Sequence, residues 1–218
     1  MTAEPGRETR LDALYDHILA GAAEPALAEV AGALADGVAP ATLLFEAMIP
    51  ALDEVGSRFE SGEYFLPEML ISARAMRSAM EVLRPHLAAT GAPELGTIVV
   101  GTVAGDIHDI GKDMVEIMLE GAGFRIVDLG VNVPAARFVD AIREHRPLVV
   151  GLSAFLTTTM PMVGRTIEVI REAGLRDAVR IIVGGAPINE AFAAQIGADG
   201  YAPDASSAVR MTRALLAV

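Results

Sequence analysis

Apolar residues recur at steps of three and four through the first ninety positions, the spacing of helices that each bury one face. The pattern predicts helices over 11–20, 26–35, 41–59 and 66–87, with nothing strand-like between them. Asp36-Gly37 stops the second. Pro40 suits the first turn of the third, where Leu43, Leu44, Met48, Leu52 and Val55 share a face. Pro50 should kink that helix or split it, and Ser61-Gly62-Glu63 ends it. In the fourth, Met69, Leu70, Ala73, Met76, Met80 and Leu83 form the stripe. Four helices with short connections make a small bundle. From residue 97 the period changes. Short apolar runs at 97–102, 124–129, 148–153, 180–184 and 198–202 read as strands, and helical patterns at 111–121, 135–145, 158–173, 188–195 and 205–217 lie between and after them. This alternation predicts an α/β fold with a doubly wound, flavodoxin-like (Rossmann-like) sheet of five parallel strands. Residues 88–96 are small and broken by Gly and Pro, which marks a linker. The chain thus reads as a helical bundle over 1–90 and an α/β domain over 91–218.

Composition narrows the function classes. Of 218 residues 52% are hydrophobic and 21% charged, enough for packed cores and unlike a disordered chain. The net charge of −12 repels phosphate backbones and argues against nucleic acid as a partner. The absence of cysteine excludes disulfides, thiolate metal sites and a catalytic thiol. Residues 1–10 are polar, without the apolar core of a signal peptide, and no apolar run reaches the roughly 20 residues of a membrane span. The expectation is a cytoplasmic protein with no membrane partner.

Polar residues gather where strands end, and in an open parallel sheet that rim is where ligands bind. The first strand is followed by Gly105-Asp106-Ile107-His108-Asp109-Ile110-Gly111, the third by Ser153-Ala154-Phe155-Leu156-Thr157-Thr158-Thr159, the fourth by Gly184-Gly185 and the fifth by Tyr201-Ala202-Pro203-Asp204. A histidine beside an aspartate has a known logic at metals: one ring nitrogen binds the metal while the carboxylate holds the hydrogen on the other. An ordinary turn with a surface histidine fits the same residues. Zinc needs three or four protein ligands, and His17, His86 and His145 all fall in predicted helices. A lone histidine suggests a metal whose other positions are filled by a macrocycle. Gly184-Gly185 leaves room for a large ligand, and the Ser and Thr hydroxyls suit a polar tail. No phosphate loop or dinucleotide fingerprint is present. Gly111-Lys112 opens a helix and is expected to contribute to anion contact there. The acidic pair and late lysine of a receiver-type phosphoacceptor are missing.

Asp106-x-His108-x-x-Gly111, the Ser153 loop and Gly184-Gly185 together resemble the signature of cobalamin-binding domains, Asp-x-His-x-x-Gly, Ser-x-Leu, Gly-Gly. The stretch Gly56 to Pro67 resembles the helical cap that precedes this domain in methyl-transferring corrinoid proteins. Nearly the whole chain is covered. It is most similar to the small corrinoid proteins of methanol, methylamine, glycine betaine and aryl methyl ether methyltransferase systems, and to the matching module of cobalamin-dependent methionine synthase. Two positions depart from the pattern: Phe155 takes the place of the Leu in Ser-x-Leu, and Asp113 stands where relatives often have Asn.

The resemblance implies roles. His108 would be the lower axial ligand of cobalt in a bound cobalamin (methylcobalamin or another corrinoid), replacing the cofactor's own base. Asp106 would hold His108, and Thr159 would complete that relay. The displaced tail would run beside Gly105, Ile107, Gly111, Ser153, Phe155, Thr157, Gly184 and Gly185. Phe65 and Leu66 would shield the methyl group, while Glu63 fits a solvated helix start better than a place in that cap site. On demethylation His108 would leave cobalt and take up a proton. Shielding and delivery conflict, so the helical half would move about residues 88–96. The implied function is a methyl carrier, not catalytic alone, between a substrate-specific methyltransferase and an acceptor methyltransferase, tetrahydrofolate-dependent in some systems, with a reductive activase as a further partner. At 218 residues the chain leaves no room for a barrel that binds a methyl donor. The alternative is a cobalamin-dependent light or ligand sensor, which usually carries a DNA-binding or signalling segment. A mutase cofactor subunit fits less well, because such subunits usually lack the cap.

Overall fold

The computed structural model describes residues 5–89 and 95–217. They divide into two compact units: the N-terminal helices with Glu120–Gly123, and an α/β unit over Leu95–Leu119 and from Phe124 onward. Of the linker expected at 88–96, residues 90–94 lie outside the described residues.

The helical unit holds α1 (Pro5–Leu19), α2 (Ala23–Ala35), α3 (Pro40–Thr42), α4 (Ile49–Glu60) and α5 (Leu66–Ala89). Leu14, Ile18, Val30, Leu43, Met48, Val55, Met69 and Leu83 are buried, at the three- and four-residue steps the sequence shows. The third expected helix is one continuous run whose middle, Leu43–Met48, is π-helical and hands over to α4 just before Pro50. Proline has no N–H and its ring crowds the carbonyl four residues back. A wider turn relieves that crowding, as in the bond from Ile49 N–H to the Leu44 carbonyl. The proline therefore changes the turn instead of splitting the helix.

In the α/β unit the order is β1 (Thr97–Thr102), α6 (Ile110–Gly121), β2 (Arg125–Asp128), α7 (Ala135–His145), β3 (Val149–Ser153), α8 (Met160–Glu172), β4 (Arg180–Gly184), α9 (Glu190–Ile196), β5 (Gly200–Ala202) and α10 (Ala205–Leu216). All pairings are parallel and the spatial order is β2-β1-β3-β4-β5. The sheet is covered on both faces, so its strands are continuous apolar runs instead of alternating ones. Val99, Val150, Leu152, Ile181 and Val183 meet Phe138, Ile142, Val163 and Ile167 in one core. A short 3₁₀ turn, Arg176–Ala178, precedes β4 where the pattern predicted nothing. Two rim polar residues are helix caps: Asn189 accepts from Phe192 N–H at 2.9 Å, and Asp204 from Ser207 N–H at 2.7 Å. Among the described residues no helix is long and apolar enough to cross a membrane.

Candidate functional site

The strand order reverses between β1 and β3. β2 lies on one side of β1 and β3 to β5 on the other, and such a switch point opens a crevice at the carboxyl ends. Thr102, Ser153 and Gly184 stand in register there. The loop after β1 carries Asp106 and His108, and the loop after β3 carries Phe155 to Thr159.

Asp106 is fully buried, with both oxygens occupied. Oδ1 lies 2.7 Å from His108 Nδ1 and accepts from His108 N–H at 3.1 Å. Oδ2 accepts from Phe155 N–H at 2.7 Å, from Leu156 N–H at 3.3 Å and from the Thr159 hydroxyl at 2.6 Å. The Thr159 hydroxyl also lies 2.9 Å from the Leu156 carbonyl. It has one hydrogen, and the shorter, charged acceptor is the carboxylate. Burial alone would push the Asp106 carboxyl up. The bonds from Thr159, Phe155 and His108 outweigh it and hold the group well below the usual carboxylate range. An ionised carboxylate only accepts, so the hydrogen between Asp106 and His108 belongs to Nδ1. Neutral His108 then keeps its lone pair on Nε2, for which the described residues supply no partner.

Three further residues hold this loop, and the sequence reading missed them. The buried Thr102 donates its hydroxyl to the His108 carbonyl at 3.0 Å. Asn132, after β2, has φ +53° and reaches back twice: its Oδ1 accepts from Gly105 N–H at 2.7 Å and its N–H donates to the Asp106 carbonyl at 2.8 Å. Asn tolerates the left-handed region and bonds backbone with its own amide, which is the signal that could have found it. Asp128 accepts from Gly130 N–H at 2.7 Å and so orders the same turn.

The Lys112 ammonium, at the opening of α6, is taken up within the protein. Its Nζ is buried, 2.8 Å from Asp113, 2.7 Å from Glu116 and 3.0 Å from Asp128. Burial would depress its charge, but the three carboxylates more than compensate and push it above the ordinary lysine range. Burial pushes Glu116 up to about 7 despite the lysine. A lone cation in a low-dielectric setting needs such partners. Here they tie α6 to the end of β2. Asp113, one of the two departures from the resembled pattern, is one of them.

The rest of the rim is open and mixes exposed apolar side chains with the polar Asp109, Thr157 and Thr158. Ile107 and Ile110 are each 71% exposed, and Phe155 is 51% exposed. The Phe155 ring stacks on the His108 imidazole, with centroids 4.5 Å apart and planes at 27°. A Cβ at Gly111 would meet nothing within 4 Å. Gly184 and Gly185 differ from it. A Cβ at Gly184 would come 2.8 Å from the Ala202 carbonyl oxygen, and one at Gly185 (φ +123°) would overlap the Ala154 carbonyl. These two glycines let neighbouring loops close on each other, a need separate from room for a ligand. Ser153 is half-buried at the end of β3, and Thr157 is exposed.

In the helical unit Phe65 and Leu66 are 65% and 42% exposed at the start of α5. They are placed by Arg58, whose carbonyl accepts from Glu63 N–H at 2.8 Å and Tyr64 N–H at 2.9 Å and whose guanidinium lies 5.3 Å from the Tyr64 ring. Glu63 is 3.4 Å from Arg58 and exposed. Glu68 caps the helix by accepting from Phe65 N–H at 3.0 Å.

Among the described residues no group of three His, Cys, Asp or Glu side chains could hold a metal ion. The rim brings exposed apolar side chains together with a histidine held by a buried carboxylate. Comparisons with known proteins give the family. Residues 96–210 match the B12 binding domain family, and residues 10–84 match a second family also described as a B12 binding domain. Trimethylamine corrinoid protein 1 of Methanosarcina acetivorans is 44% identical over 196 residues, covering 88% of this chain and 91% of that one. The dimethylamine corrinoid protein of Methanosarcina barkeri is 40% identical over 213 residues, 97% of this chain and 99% of that one. Among solved structures, a cobalamin-binding protein from Desulfitobacterium hafniense superposes with a TM-score of 0.80 at 31% identity, covering 94% of this chain and 98% of that one. The methanol:cobalamin methyltransferase complex of Methanosarcina barkeri gives 0.82 at 27% identity, covering 100% of this chain and 86% of that one. With relatives matched along almost their full lengths, the chain belongs to the cobalamin-binding corrinoid proteins that carry methyl groups in methyltransferase systems.

Proposed function

We propose that this protein receives a methyl group from a substrate-specific methyltransferase and yields it to an acceptor methyltransferase, with His108 Nε2 as the lower ligand of the bound cobalamin. A partner methyltransferase is supported by the structure of the methanol:cobalamin methyltransferase complex, in which a chain of this shape occurs. An acceptor enzyme, tetrahydrofolate-dependent in one version, and a reductive activase belong to the same reading. The relatives are trimethylamine and dimethylamine corrinoid proteins, which favours this over a light or ligand sensor. The cofactor supplies a cobalt that takes up and releases methyl groups, and the protein orients and shields it.

The observation that carries the ligand assignment is the 2.7 Å contact between His108 Nδ1 and a carboxylate held ionised by the fold. It fixes the tautomer and leaves Nε2 as the donor. Asp106 holds the ring through Nδ1. When Nε2 is not bound to metal it is free to take a proton, and the resulting imidazolium would face a carboxylate already braced by Thr159. Gly111 offers an uncovered stretch of backbone, and Ser153 and Thr157 offer hydroxyls, to a polar tail. Ile107 offers apolar surface at the rim. The exposed Phe65 and Leu66 suit shielding of the methyl group.

The test is the visible spectrum of protein mixed with hydroxocobalamin or methylcobalamin, after free cofactor is removed. Wild type is expected to retain the corrinoid with a histidine-ligated spectrum, and His108→Ala to show a ligand-free spectrum or lose the cofactor. Retention with the same spectrum in His108→Ala would overturn the ligand assignment. Turnover of a small methyl donor by this chain alone would overturn the carrier role.

A further inference from the structure

Phe155 is one residue with two grips on the same site. Its main-chain N–H donates to Asp106 Oδ2 at 2.7 Å, and its ring stacks on His108 at 4.5 Å. The two grips do different things. The bond from His108 Nδ1 to Asp106 Oδ1, beside the covalent attachment at Cγ, holds one edge of the imidazole and leaves its face to tilt about that edge. A stacked aromatic face removes that freedom, because near-parallel rings lose contact when one plane turns. Where the resembled signature has Leu, an aliphatic side chain would cover the imidazole without selecting its plane.

We infer that Phe155 is a positioning residue that sets the plane of the His108 imidazole and so the direction in which Nε2 presents its lone pair. This rests on the reading of His108 as the lower ligand. Phe155 is half exposed and contributes little to the core, so its ring is a feature of the site more than of the fold. Leu and Tyr at this position both keep the main-chain donor to Asp106, which lets the ring be tested by itself. Stacked pairs bias orientation by roughly threefold to tenfold.

The first measurement is NMR of the cofactor-free protein with ring-labelled histidine, using His108→Ala to identify the His108 signals. Wild type is expected to show His108 ring protons shifted by the aromatic ring current and cross-relaxing with Phe155. Phe155→Leu should lose both effects, and Phe155→Tyr should keep the ring-current shift. The second is the fraction of methylcobalamin-loaded protein in the histidine-ligated spectral form. It should fall by roughly threefold to tenfold in Phe155→Leu and recover in Phe155→Tyr. An unshifted His108 in wild type overturns the inference directly. So does a Phe155→Leu protein whose ligated fraction matches wild type. If wild type binds no corrinoid, or binds it with the same spectrum as His108→Ala, the ligand assignment fails and the positioning role fails with it, while the NMR result still reports whether the stack exists.

Discussion

Asp106 and Phe65 stand at opposite extremes of the same chain. Asp106 is a charged group that the α/β unit buries completely and binds through five hydrogen bonds. Phe65 is a large apolar group that the helical unit leaves 65% exposed. Each inverts the usual preference of its residue type. On the proposed reading, function would be written into the two units in different ways. In the α/β unit it is a preorganised polar network that the fold cannot lose without unsatisfied donors. In the helical unit it is surface that the fold does not need.

The largest test of this contrast is apoprotein stability. Asp106→Ala strands the main-chain donors of His108, Phe155 and Leu156, leaves the Thr159 hydroxyl only the Leu156 carbonyl, and should cost roughly 3–5 kcal/mol in urea unfolding. Phe65→Ala and Leu66→Ala should stay within about 0.5 kcal/mol of wild type. A loss of more than about 2 kcal/mol from either would place them in the core and break the comparison.

The rim glycines sharpen it next. Gly185→Ala forces a side chain into the Ala154 carbonyl at a φ of +123°, and should cost roughly 2–4 kcal/mol. Gly111→Ala meets open space, and near the start of α6 it should be neutral or stabilising by up to about 1 kcal/mol. If the cofactor lies against Gly111, the same change should still weaken corrinoid retention. Normal retention in a well-folded Gly111→Ala protein would remove Gly111 from the site.

A smaller effect concerns Glu116. Burial raises its carboxyl from the ordinary 4.5 to about 7. Between those values the unfolded chain releases this proton and the folded protein keeps it, so the group's contribution to stability falls as pH rises and levels off above about 7. Glu116→Gln should remove this slope, making the variant's stability relative to wild type rise across the same window by roughly 1–3 kcal/mol. A difference that is flat with pH would mean that Lys112 holds Glu116 ionised throughout.

Much of this was legible from spacing alone. Apolar runs and 3.6-period stripes depend on burial, and burial is a local property of each element, so most strands and helices emerge within a residue or two, while α1 and α2 begin six and three residues earlier than the stripe shows. Asp106, His108 and Thr159 were legible because a strand-end motif and a resemblance pointed to them. The supporting residues were not. Lys112 looks like a surface cation in sequence, and only the return of β2 beside α6 brings Asp128 to it. Phe155 was visible as a departure from Ser-x-Leu, but its partner, His108, is distant in sequence. Such contacts depend on strand order, which no local pattern encodes.

Asn132 illustrates the same point and yields the smallest prediction. It joins the turn after β2 to the Asp106 loop through a side-chain acceptor for Gly105 N–H and through its own N–H, at a φ of +53°. Gly tolerates that backbone and keeps the main-chain bond, so Asn132→Gly removes only the Oδ1 acceptor. Gly105 N–H is near solvent and recovers part of its bonding from water, so the cost should be about 0.5–1.5 kcal/mol. Asn132→Ala keeps no acceptor and also strains the left-handed backbone, so it should cost about 1 kcal/mol more than Asn132→Gly. Asn132→Asp keeps an acceptor in place and should fall closest to wild type. If Gly and Ala proved equal in urea unfolding, the left-handed backbone would carry no weight, and the clamp would reside in the amide alone.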